Sequence, residues 1–235
     1  FGVRSLYWME YFIDTPNHER FVYGFASELK CLSTLYNKKY ARSNKVISNQ
    51  EITSNTCEQF IPGTYTKLSL PDQAIGDYQI DVKNRSYYSL PFSYPLDSRT
   101  EENVLVGIYE HLCAAVHKRV TTTEREVACL LSGGLDSSLI TGLVCKYSAM
   151  DTKKVKTFSI GLPGSDDLKY AKEVADFLGT DHHEIMVSED EMFDAIPEVI
   201  GKIESYDTTT VRASVGNYLV SKYIRKECDA KVIFN

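Results

Sequence analysis

Two groups of residues have the types and spacing to do chemistry. The first is LLSGGLDSSLITGLV, residues 130–144, where an apolar run stops at Ser132-Gly133-Gly134 and resumes after Asp136, Ser137 and Ser138. Paired glycines let a backbone bend sharply and approach a ligand closely. Successive backbone N–H groups at such a bend form an anion nest, and the N-terminus of a following helix adds partial positive charge. The hydroxyls of Ser132, Ser137 and Ser138 are further donors. The Gly-Lys-Ser/Thr ending of a Walker A loop is absent. A loop without Lys suits a pyrophosphate that leaves bridged by Mg²⁺, with Asp136 as the metal-side carboxylate. The alternative is a tight strand–helix turn that holds nothing. Two glycines alone would leave that choice even; the full SGGLDSS favours the phosphate reading.

The second group is Glu204, Asp207, Thr209, Thr210 and Arg212, within IESYDTTTVRAS at residues 203–214. Such polarity after a helix reads as a surface loop by default. It also has chemical capacity. Arg212 can pair with a carboxylate through two parallel hydrogen bonds, and threonine hydroxyls can orient it or a transferring phosphoryl group. Thr208 reads as a bystander. His182 and His183 are adjacent, so on a strand they point to opposite faces, which is poor metal-ligand geometry and favours a structural role. Glu189-Asp190-Glu191 reads as a solvated helix start, favourably placed against the helix dipole.

The elements that must position these residues fall into two patterns. Residues 1–95 carry short, aromatic-rich, β-prone runs such as VRSLYWMEYF, RFVYGFAS and GTYTKLSL, separated by turn signals at Thr15-Pro16-Asn17 and Ile61-Pro62-Gly63. They predict antiparallel sheet at the end of an α+β domain. Residues 37–59 read as a polar loop with one short helix, and residues 87–97 as an extended linker. From Thr100 onward strands and helices alternate. Helical spacing of Val104, Ile108, Leu112 and Val116 is followed by a strand at 127–131 and a helix at 136–146. A strand at 155–160, a helix at 167–178 stopped by Gly179, a strand at 183–187 and helices at 189–203 and 211–227 complete the series, with a further strand in KVIFN. This alternation predicts an α/β fold with a doubly wound parallel sheet over residues 96–235. Ligands of such sheets sit at the carboxyl ends of the strands.

Composition excludes some classes. At 235 residues and 43% apolar, the chain can bury a sizeable core. A net charge of −6 disfavours nonspecific nucleic-acid binding. The six cysteines are scattered and form no CxxC, which fits reduced thiols and a cytoplasmic setting. No apolar run reaches membrane-spanning length and no signal peptide is evident, so no membrane partner is expected. Phe1 at the start and the strand-like KVIFN at the end suggest cuts through a longer protein.

SGGLDSS resembles the signature of the PP-loop ATP pyrophosphatases, which form adenylates and release pyrophosphate. FSIGLPGSDDLKYAKEVADFLGTDHHEI, residues 158–185, and IESYDTTTVRAS are similar to segments of the glutamine-hydrolysing asparagine synthetases. GVRSLYW, FASELKCL and IPGTY resemble the end of that family's N-terminal-nucleophile glutaminase domain. Ser5 and Asp166 stand where the family has, usually or often, proline. The resemblance implies a glutamine amidotransferase region at residues 1–95 and a PP-loop ATP-binding domain at 96–235. It implies ATP and Mg²⁺, with aspartate and glutamine or ammonia as substrates; a homodimer is left open. Leu130 and Ile160 would flank the adenine, and Ser132, Gly133, Gly134, Asp136, Ser137 and Ser138 would hold the phosphates, with Asp136 on the metal. Asp136, Thr209, Thr210 and Arg212 would be catalytic, and Glu204, Asp207 and Arg212 would bind substrate. The family's nucleophile is an amino-terminal Cys; Phe1 stands at position 1, and Cys31 lies mid-run in ELKCL, so no glutamine hydrolysis is expected of these residues alone. Two alternatives remain at this point. One is another PP-loop synthetase without glutaminase activity, such as a β-lactam synthetase relative, against which ESYDTTTVRAS argues. The other is a nucleotide-binding or interaction protein that has lost catalysis.

Overall fold

The computed structural model describes residues 5–15, 18–33, 56–69, 79–88, 100–148 and 154–235. The chain divides into two compact units, Phe1–Asp97 and Ser98–Asn235. In the first, β1 (Tyr7–Thr15), β2 (His18–Ala26) and β3 (Thr56–Gln59) form an antiparallel sheet in the order β2-β1-β3. Antiparallel β4 (Thr64–Ser69) and β5 (Gln79–Ser86) form a second, two-stranded sheet. Trp8 and Met9 are buried, with the Tyr23 ring stacked beside Trp8 and Lys83 Nζ 4.9 Å over its centroid. Gly63 makes the Ile61-Pro62-Gly63 turn with φ of 74°.

Two expectations need correction in this unit. Thr56–Gln59, grouped by its polarity with a loop, is an edge strand; its hydrogen bonds come from β1, and a long-range pairing leaves no local apolar signature. β5 was not anticipated either, because its alternation is carried by only Ile80 and Val82. The rest of the expected loop at 37–59, the Pro16-Asn17 turn and most of the expected linker at 87–97 lie outside the described residues.

The second unit alternates strands and helices as the sequence predicts. In order come α1 (Glu101–Thr121), β6 (Val127–Leu130), α2 (Leu135–Ser148), β7 (Lys156–Gly161) and α3 (Asp166–Leu178). Then follow β8 (Asp181–Met186), α4 (Glu189–Ile203), α5 (Thr208–Glu227) and β9 (Val232–Phe234). Helix ends obey local chemistry. Gly179 ends α3 in the left-handed region at φ 69°, and Ser188 with Glu191 forms a capping box that opens α4.

The four strands are parallel in the order β8-β7-β6-β9. Successive side chains alternate between faces. Ala128 and Phe158 pack with Val220 and Ile224 of α5 on one face. Cys129 and Phe234 pack with Val116 of α1 and Leu143 and Val144 of α2 on the other. Leu131 meets Ala171 and Ala175 of α3. Helices therefore cover both faces. Burying a side chain such as Phe158, 1% exposed, contributes about 2–3 kcal/mol. Among the described residues no helix is long and apolar enough to cross a membrane.

Candidate functional site

The chain runs outward from β6 through β7 to β8, then returns to place β9 on the other side of β6. The strand order thus reverses at β6, and an open parallel sheet has its ligand crevice at the carboxyl ends beside such a reversal. A crevice of about 130 Å³ opens there. Leu130, Ser132, Ser137 and Ile160 line it, four of the residues singled out from the sequence. The strand ends are held in line by Leu131 N–H donating to Phe158 O at 2.8 Å.

The loop after β6 is fixed by its own serines. Ser132 Oγ and Ser137 Oγ lie 3.0 Å apart, Ser132 N–H donates to Ser137 Oγ at 3.3 Å, and Ser138 Oγ donates to Gly134 O at 2.7 Å. Ser137 Oγ donates to the same Gly134 O at 3.2 Å, so both hydroxyls brace the loop backbone. Within α2 the first backbone bond closed by the loop is Ser138 N–H to Gly134 O, at 3.0 Å. The first-turn amides before it have no acceptor within the helix and suit an anion.

The two glycines do different things. Gly133 has φ of 79°, and a Cβ there would lie 2.5 Å from Tyr170 Cβ and 2.6 Å from Ala171 N. It admits the backbone of α3. A Cβ on Gly134 would meet only Ser132 Oγ, at 3.5 Å, so space beside Gly134 is open. Of the pair, only Gly133 takes a left-handed φ.

Asp136 stands exposed in the first turn of α2. Among the described residues no group of three His, Cys, Asp or Glu gathers to hold a metal. A single carboxylate fits a Mg²⁺ bound mainly by phosphate oxygens and water, rather than by a protein cage.

The second group of residues does not line the crevice. Glu204 caps the end of α4 at φ 56°, and Asp207 is the N-cap of α5. The helix expected over 211–227 begins at Thr208, so Thr209 and Thr210 are helical as well as Arg212, which corrects the loop reading at its start. The cause is Asp207, whose Oδ1 accepts from both Thr210 N–H and Thr210 Oγ1 at 2.7 Å. Those bonds, the Thr210 hydroxyl first, hold the Asp207 carboxyl below its usual range. Helical spacing sets Thr209, Arg212, Gly216 and Val220 in one stripe along α5. Gly216 backs onto Ile160, its Cβ position 3.8 Å from Ile160 Cγ2, and Val220 lines the crevice. Arg212 is exposed one turn beyond Gly216 on that stripe, toward the carboxyl ends of the strands.

Sequence reasoning missed Ser159, Asp167 and Asn217, which also line the crevice. Asp167 carried a signal, since it opens a helix after a strand in LPGSDDLK, but it was read only as a helix start. Asn217 carried none, being one polar residue within a helix. The histidines divide as expected. His182 reaches Thr157 and Ser159 on one face, and His183 stacks on Phe158 on the other, centroids 5.0 Å apart.

The family described as Asparagine synthase matches residues 107–235. The glutamine-hydrolysing asparagine synthetase of Mus musculus is 40% identical over 190 residues, covering 76% of this chain and 33% of the relative. Those of Gallus gallus and Homo sapiens are 41% and 40% identical, with the same coverage. The chain spans about a third of the length of these curated relatives. The family match takes in the glycine–serine loop, the strands that flank the crevice and the helix that carries Arg212, and on that ground the chain belongs to the asparagine synthase family.

Proposed function

We propose that residues 96–235 form the ATP-binding and aspartate-activating site of a glutamine-hydrolysing asparagine synthetase. The observation that carries this reading is the crevice at the strand-order reversal, floored by the Ser132–Ser138 loop and flanked by Leu130 and Ile160. Adenine lies between Leu130 and Ile160, where apolar side chains cover its faces. The phosphates run over Gly134, where space is open, to the first-turn amides of α2. These amides are aimed before the reaction begins and stabilise the charge that develops on the departing pyrophosphate. Asp136 would hold Mg²⁺, which would neutralise charge on the phosphates. Arg212 takes a carboxylate of aspartate or an oxygen of the transferring group, with Thr209 on the same stripe; Asp207 and Thr210 set the start of the helix that carries both.

The β-carboxylate of aspartate attacks the α-phosphorus of ATP and pyrophosphate leaves. A carboxylate is a poor electrophile; as the adenylate it offers AMP as a leaving group to ammonia, and asparagine forms. The residues contribute mainly by positioning and by charge stabilisation. The same reading assigns residues 1–95 to the amidotransferase domain that frees ammonia from glutamine. The six free cysteines accord with a cytoplasmic enzyme.

The test is pyrophosphate release by the protein at the relatives' full length, with aspartate, ATP, Mg²⁺ and ammonia. Gly134→Val should fail in ATP binding, because its branched side chain fills the open space. Asp136→Asn should bind ATP yet release pyrophosphate slowly and demand more Mg²⁺. Wild-type rates from both variants would reduce the loop to a simple turn.

A further inference from the structure

The two faces of the parallel sheet decide which side chains can meet a base in the crevice. Leu130 and Ile160, between which the base is placed, pack with Phe158 on the face covered by α5. From α5, two residues line the crevice on that face, Val220 and Asn217. Asn217, Val220 and Ile224 follow one another at helical spacing, so Asn217 continues the stripe that covers these strands. The helix runs close here: a Cβ on the neighbouring Gly216 would lie 3.8 Å from Ile160 Cγ2. Its direction matters too. Cys228, the C-cap of α5, has its Sγ 3.8 Å from Lys156 Nζ at the start of β7, so the helix begins toward the carboxyl ends of the strands. Side chains on a helix lean toward its N-terminus. Asn217 therefore leans toward the Leu130–Ile160 end of the sheet, on the face where the base is placed.

The helix also fixes the orientation of the Asn217 carboxamide. Its Nδ2 donates to Ala213 O at 3.3 Å. A carbonyl only accepts, so the NH₂ end must face it, and Oδ1 is turned the other way. One Nδ2 proton remains as well. Asn217 thus offers the crevice an acceptor beside a donor. A 6-aminopurine is the complement, since its amino group donates and the ring nitrogen beside it accepts. We propose that Asn217 is a specificity-determining residue whose Oδ1 accepts a hydrogen bond from the 6-amino group of the bound base. A 6-oxopurine sets a carbonyl oxygen against Oδ1 instead. Turning the amide over to suit it would point Oδ1 at Ala213 O and lose the bond made there. The choice of base is therefore enforced by a backbone carbonyl one helical turn away, acting through Asn217. This inference rests on the nucleotide reading of the crevice and adds to it the group that tells one purine from another.

The experiment takes the protein at its relatives' full length and measures, by calorimetry, the binding of three purine ribonucleoside triphosphates that carry an amino group, a hydrogen or an oxygen at the 6-position. Wild type should bind ATP tightest, the unsubstituted purine about threefold to tenfold more weakly, and the 6-oxopurine about tenfold to a hundredfold more weakly, because an opposed pair of acceptors costs more than a missing bond. Asn217→Leu is close in size and favours the helix, so it should melt no lower than wild type. It should bring the three nucleotides within about twofold of one another, and Asn217→Ala should do the same. A packing role alone would weaken all three alike and keep their order, which overturns the inference. So does a wild type that binds the 6-oxopurine as well as ATP, or an ATP preference that survives in both variants; each leaves the nucleotide reading standing. The order in wild type does not depend on either variant folding. If wild type binds none of the three, the nucleotide reading itself falls, and this inference with it.

Discussion

Gly133 and Gly134 look equivalent in SGGLDSS, yet they answer to different forces. Gly133 is constrained twice, by its φ of 79° and by the α3 backbone 2.6 Å from any Cβ. Gly133→Ala should therefore destabilise the fold by about 2–4 kcal/mol, read from denaturant midpoints. Gly134→Ala meets only Ser132 Oγ and should change stability by less than about 1 kcal/mol while still lowering ATP affinity. Equal losses of stability would refute this division of roles. The strand–turn–helix of the motif was legible in the sequence, because paired glycines between two apolar runs mark a sharp bend. Which glycine is under steric pressure was not legible, since α3 reaches the loop only through tertiary packing. Buried thiols follow the same logic. Burial pushes the Cys129 thiol up to about 12, whereas Cys31 is exposed. Alkylation of the native protein near neutral pH, followed by mass spectrometry, should label Cys31 and spare Cys129 until unfolding.

At the scale of elements, α5 is the part on which the site most depends. It covers one face of the sheet through Val220 and Ile224, borders the crevice through Asn217, and carries Arg212 near its start. Its start was misread because threonines favour loops as readily as helices; the Asp207 cap settles the matter, and a cap needs only one carboxylate in the right place. Asp207→Ala should fray the first turn, lower the melting temperature and slow pyrophosphate release through Arg212. Because the folded-state pKa of Asp207 is depressed, the cap contributes fully above the ordinary carboxylate range and is lost as pH falls through the folded value. The gap in melting temperature between wild type and Asp207→Ala should hence be present at neutral pH and close in acid, below the ordinary carboxylate range. A gap that widens in acid would assign Asp207 some other role. By contrast, the alternation of strands and helices around α5 was readable: VACL is a continuous apolar run, and Gly179 marks the end of α3. β3 was unreadable for the opposite reason: an edge strand takes its bonds from a distant partner and needs no apolar run of its own.

The 235-residue chain carries a net charge of −6, and its proposed substrates are anions. Long-range steering therefore works against ATP and aspartate, and capture must come from short-range groups. The proposed site would draw on two of these: the first-turn amides of α2 and the guanidinium of Arg212 on α5. The amides are part of the backbone and only proline removes one, so Arg212 is the half that a conservative substitution can test. Its value lies in geometry as well as charge. A guanidinium meets a carboxylate or phosphoryl group through two parallel bonds, while an ammonium offers a point charge. In the protein at its relatives' full length, Arg212→Lys should slow asparagine formation by about tenfold to a thousandfold, corresponding to the loss of one oriented charge-assisted contact in the transition state. The deficit should be the same with ammonia or glutamine as nitrogen donor, because the defect precedes amide formation. Glutamate release from glutamine should stay near the wild-type rate, since the proposed glutaminase region lies in the other compact unit, Phe1–Asp97. A variant that makes asparagine normally would remove Arg212 from the site. One that loses both activities together would mean that the substitution damages the fold, and a thermal melt of the same protein would reveal it.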